Sequence, residues 1–67
     1  MYSKYCKLRD EKGLKDPAVA RETGIPASTL YDWGQREAKQ PGAKIGVDKL
    51  KALADFFGVR IDFFLED

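Results

Sequence analysis

Residues 17–33, PAVARETGIPASTLYDW, restrict the possible folds of this chain more than any other stretch. Gly24 separates two segments of helical apolar spacing, and glycine readily takes the left-handed backbone that a tight turn requires. Small Ala20 and apolar Val19, Ile25, Leu30 and Trp33 stand where two steeply crossing helices need them. A helix, a sharp turn and a second helix follow.

The length leaves little choice for what surrounds this unit. Sixty-seven residues make one domain, 1–67, whose economical solution is a small helical core. Apolar residues are 43% and charged residues 34%, which suits a folded soluble domain. No apolar run approaches the roughly 20 residues that span a bilayer, so no membrane partner is expected. The start, MYSKYCKLRD, has basic residues but no apolar signal region. Cys6 is the only cysteine and histidine is absent, which excludes an internal disulfide and zinc held by cysteine pairs. A cytoplasmic chain without metal or other cofactor is expected. Net charge is +1, with nine Lys/Arg against six Asp/Glu in residues 1–46 and three against five in 47–67.

Five short helices can be read along the chain, an all-α pattern. Tyr2, Tyr5, Cys6, Leu8 and Arg9 share a face of the first, which Gly13 stops. Asp16 and Pro17 read as a side-chain cap followed by proline at the first helical position. The second helix runs to about Thr23. Pro26 opens the third, with Ser28 and Thr29 in its first turn. Gly34 weakens its end, and residues 38–46, AKQPGAKIG, read as loop. Val47, Leu50, Leu53, Ala54 and Phe57 form the inner stripe of the fourth helix. The fifth, from Arg60 to Leu65, presents Ile61, Phe64 and Leu65 to the core.

The turn at Gly24 with its flanking helices is the pattern of a helix-turn-helix, whose second helix can lie in a DNA major groove. The ordered set Leu8-Arg9, Gly13-Leu14, Val19-Ala20, Thr23-Gly24-Ile25, Ser28-Thr29-Leu30, Trp33, Leu50, Leu53-Ala54, Phe57-Gly58-Val59, Ile61 and Leu65 resembles the Cro-and-repressor class of helix-turn-helix domains, the XRE family. The resemblance covers nearly the whole chain. It implies a compact five-helix, lambda-repressor-like fold and a sequence-specific, double-stranded DNA-binding transcriptional regulator. The recognition helix would span about 26–36.

Carried over by position, the resemblance assigns base contact to Ala27, Ser28, Tyr31 and Asp32, with Thr29 at a phosphate. Ser28 can donate or accept at a base edge, the Ala27 methyl suits thymine, and Asp32 suits cytosine. No Arg, Asn or Gln is read on this face to form strong bidentate base pairs. Where the family commonly places a phosphate-clamping glutamine, Asp16 stands here, a better cap than clamp. Where relatives pair Arg9 with a glutamate after the third helix, Gly34 stands. Arg9 is then left for a phosphate or for another carboxylate, Asp32 or Glu37. Arg36, Lys39 and Lys44 in or beside the following loop are read as replacement phosphate contacts.

Phe56 and Phe63 precede the inward Phe57 and Phe64, so they should point sideways or out. They either thicken the core or form a dimer interface. Dimers of this class bind half-sites about one helical turn apart, and a homodimer on DNA is the expectation. The alternative is a protein-interaction module, antitoxin-like or anti-repressor, with a protein partner and little DNA affinity. Asp16, Asp32 and the near-neutral charge favour that alternative. No nucleophile–base pair is legible, so no enzyme is expected.

Overall fold

The computed structural model describes residues 1–66, in which five α-helices follow in order: α1 (Tyr2–Glu11), α2 (Asp16–Thr23), α3 (Ala27–Lys39), α4 (Val47–Phe57) and α5 (Ile61–Leu65). α2 packs on α3 and α4, while α1 bridges α3 and α5. Gly24 takes φ +80° and its N–H donates to the Ala20 carbonyl at 2.9 Å, closing α2. The Thr23 hydroxyl fastens the same turn, donating to Val19 O at 2.8 Å and accepting from Ile25 N at 3.3 Å. The helix-turn-helix expected from the sequence is present.

Burial, rather than polar capping, sets where the helices begin. None of α2 to α5 has a side-chain cap hydrogen bond. Each has an apolar residue immediately before its cap and a second one five positions later: Leu14 and Val19, Ile25 and Leu30, Ile45 and Leu50, Val59 and Phe64. Such a pair packs across the helix start and fixes the angle of the incoming chain. The second member of every pair is at most 1% exposed. Each side chain so buried contributes about 1.5–3 kcal/mol.

These pairs explain two departures from the expected core. Val47 is 71% exposed, because the buried residue at the start of α4 is Ile45, on the preceding loop. Leu65 is 58% exposed, because α5 is a single short turn that seats Phe64 inward and ends there. Phe56 and Phe63 are half-buried against the core rather than outward. Lys12 Nζ lies 5.9 Å from the Phe56 ring centroid and Lys4 Nζ 5.3 Å from that of Phe63. Both rings pack on the edge of the core and keep part of their surface exposed.

α3 is longer than its sequence suggested. It continues through Gly34 to Lys39, so Ala38 and Lys39 are helical rather than loop. The glycine is there for space. A Cβ on Gly34 would lie 2.6 Å from the Tyr2 hydroxyl, so the bare Cα gives the tip of the Tyr2 ring its place against α3. The Tyr2 ring then meets fully buried Trp33 edge-on at 5.0 Å. Burial, reinforced by Cys6, pushes the Tyr2 phenol up to about 12.

Candidate nucleic-acid interface

The outward face of α3 follows from what its inward face buries. Leu30 and Trp33 are fully buried, so at about 100° per residue the opposite side carries Ser28, Tyr31, Asp32, Gln35 and Lys39. All five are exposed, Tyr31 by 66%. Ala27 is exposed at the helix start. Half-buried Thr29 is turned toward the flank of this strip, about 100° from Ser28. Neither hydroxyl caps α3, which has no side-chain cap bond. The first helical amides that bond back to Pro26 O are those of Thr29 and Leu30, at 3.0 and 3.3 Å. The amides of Ala27 and Ser28 therefore face outward at the positive end of the helix dipole.

Gln35 belongs to this strip, contrary to the sequence expectation that no Gln, Asn or Arg lies there. It stands seven residues, two helical turns, beyond Ser28. The signal was in the sequence: Gln35 falls within the 26–36 span expected for the recognition helix, two turns beyond Ser28.

The far end of α3 is fastened to the loop after it. Trp33 Nε1 donates to Ala43 O at 3.0 Å, and Arg36 Nη1 to Lys44 O at 2.8 Å. Glu37 Oε1 accepts from the backbone amides of Gly42 at 3.1 Å and Ala43 at 3.0 Å. Arg36 Nε also donates to Asp32 Oδ2 at 2.9 Å. Three side chains within one turn thus hold the loop backbone, and Ile45 is buried at its end. An open cleft between helix and loop is lined by Arg36, Lys39, Gln40, Gly42 and Lys44. Lys39 and Lys44 are exposed beside it.

Arg9 is engaged elsewhere. Its Nη1 donates to Asp16 Oδ1 at 3.0 Å and its Nε to Asp10 Oδ1 at 3.1 Å. The same Asp16 oxygen accepts from the fully buried Tyr5 hydroxyl at 2.5 Å. Asp16 is therefore neither the helix cap nor an anion set against a phosphate. It takes the pairing position for Arg9 in place of Asp32, which bonds Arg36, and Glu37, which bonds the loop. Burial pushes the Tyr5 phenol well above its ordinary range, and the bond to Asp16 adds to this. Burial alone lowers the Arg9 guanidinium, but its bonds to Asp16 and Asp10 leave it raised overall. With its side chain 19% exposed and two donors occupied, Arg9 is a link between α1 and α2.

The geometry is a helix with an uncapped start, an exposed polar strip and lysines at its far end. Among the described residues no helix is long and apolar enough to cross a membrane. A family model for the Cro/C1-type HTH DNA-binding domain matches residues 6–66. No curated protein and no solved structure gave a match. DNA-binding domains of this family are typically non-enzymatic. The match extends over all five helices, from within α1 to the end of α5, and the chain belongs to the Cro/C1-type helix-turn-helix DNA-binding domains.

Proposed function

We propose that this protein is a sequence-specific regulator of transcription, of the repressor type, that inserts α3 into the major groove of double-stranded DNA. One observation carries the proposal: the start of α3 is uncapped, leaving the Ser28 hydroxyl and the first amides available to a partner. In this reading Ser28, Ala27 and Tyr31 face base edges while α2 braces the groove helix. Thr29 meets a phosphate at the flank. Lys39 and Lys44 neutralise backbone phosphates, and Arg36, steadied by Asp32 and Lys44 O, offers them its remaining edge.

Two arguments for a protein-binding module lose force. Asp16 is paired internally, and Asp32 is paired with Arg36, so neither presents an unpartnered negative charge. Phe56 and Phe63, the aromatic side chains through which such a module could hold its partner, are half-buried. We further propose that two copies occupy half-sites about one helical turn apart, in the cytoplasm of the host cell.

A salt-titrated gel shift tests the residue roles. Replacing Ser28 and Tyr31 together by alanine should abolish preference for the selected site and leave residual non-specific binding. Lys39→Ala and Lys44→Ala should weaken binding to all sequences alike and lower the salt slope by about one each. Unchanged binding in these variants would remove the assigned residues from the interface.

A further inference from the structure

We propose that Gln35 reads an adenine in the operator and is the strongest single discriminator on α3. The inference rests on the reading of α3 as the groove helix. In α3, Ser28, Tyr31, Asp32 and Gln35 stand at i, i+3, i+4 and i+7. Repressor-type groove helices contact bases chiefly from their N-terminal residues, and the groove helix of homeodomains extends the contact along the helix with side chains at this spacing. Ser28 and Gln35 differ by only about 20° around the axis, so a helix directing one at the groove floor directs the other there too. They are separated by about 10 Å along it.

The chemistry of the strip singles out Gln35. Asp32 is occupied by Arg36 at 2.9 Å, and Arg36 is further held by Lys44 O at 2.8 Å. Ser28 and Tyr31 each end in one hydroxyl. Gln35 is exposed, and among the described residues its amide takes part in no internal hydrogen bond resolved in the structure. It presents a donor and an acceptor together, the pair that adenine N7 and N6 complement. The recognised adenine should belong to a different base pair from the base that Ser28 meets, since the two side chains are about 10 Å apart along α3.

Selection from random-sequence DNA with the full chain, repeated with Gln35→Ala and Gln35→Arg, tests this. The wild type should enrich a motif with adenine at one such position. Gln35→Ala should keep the rest of the motif but lose that adenine preference, a fall in discrimination of about 5- to 150-fold. Gln35→Arg should exchange adenine for guanine there. Loss of affinity shared by all sequences, with the adenine retained, would make Gln35 a phosphate contact and overturn the proposal. An unchanged motif and affinity would overturn it as well. If the wild type enriches no motif, the groove-helix reading fails first and takes Gln35 with it. An unchanged thermal midpoint in both variants excludes misfolding as the cause.

Discussion

The two ends of α3 are fastened by opposite means. At its start Ile25 and Leu30 are buried together, and no side chain bonds the first-turn amides. At its far end Trp33, Arg36 and Glu37 all direct polar atoms to the backbone of the following loop. Apolar packing leaves polar groups unclaimed, whereas hydrogen bonding consumes them. The start of the helix therefore keeps its polar groups free, while at the far end Trp33, Arg36 and Glu37 hold shape and exposed Gln35 keeps its amide free. Arg36 shows the cost of the second arrangement, since two of its donor positions are already in use.

Substitutions at the two ends should separate stability from binding. The largest effect is expected for Trp33→Ala, which deletes a fully buried ring and the bond to Ala43 O. A loss of about 3–5 kcal/mol by urea titration is expected, enough to unfold most of so small a domain. Glu37→Ala should be milder, about 1–2 kcal/mol, because it frees two loop amides that water can partly reach. Faster hydrogen exchange at Gly42 and Ala43, with protection in α2 retained, would locate that loss in the loop.

The middle of the helix gives a pH test. Tyr2, against Gly34 and Trp33, has its phenol raised from 10.0 to about 12, so folding favours the neutral form. Its contribution is complete below pH 10.0 and is lost as pH rises through about 12. The thermal midpoint should fall across that window, and the fall should shrink in Tyr2→Phe. A Tyr2→Phe profile identical to wild type would remove Tyr2 as a source of the alkaline loss.

The smallest effect is the sharpest for the comparison. Ser28→Ala should change stability by less than about 0.5 kcal/mol while reducing specific DNA binding. A loss of about 1 kcal/mol or more would reveal a helix cap and break the contrast between the two ends.

Residues 17–33 and the stripe from Leu50 to Phe57 were legible because apolar spacing reports which side of a helix is buried. The misreadings share a different physics. Gly34 is locally a helix breaker, and its real role depends on Tyr2, brought against it by tertiary packing. Asp16 before Pro17 has the local chemistry of a cap, but Tyr5 and Arg9 on another helix compete for its carboxylate. Ile45 was hidden in a stretch rich in Pro and Gly, although its five-residue distance to Leu50 matches the other helix starts. Of the interface, the outward positions around Ser28 could be projected from a short helix. Gln35 lies within the expected span 26–36 as well, but it follows Gly34, whose local chemistry weakens a helix, so its place on the strip rests on the fold.

The apolar pair across the start of α3 has an evolutionary consequence. Because Ile25 and Leu30 fix that helix start from within, the side chains at 27, 28 and 29 are not needed as caps. If α3 reads an operator as proposed, these positions can be exchanged without first acquiring compensating stability. On that reading, specificity and foldability rest on nearly separate sets of residues. The same separation makes residues 27–29 a natural cassette for retargeting the domain by design.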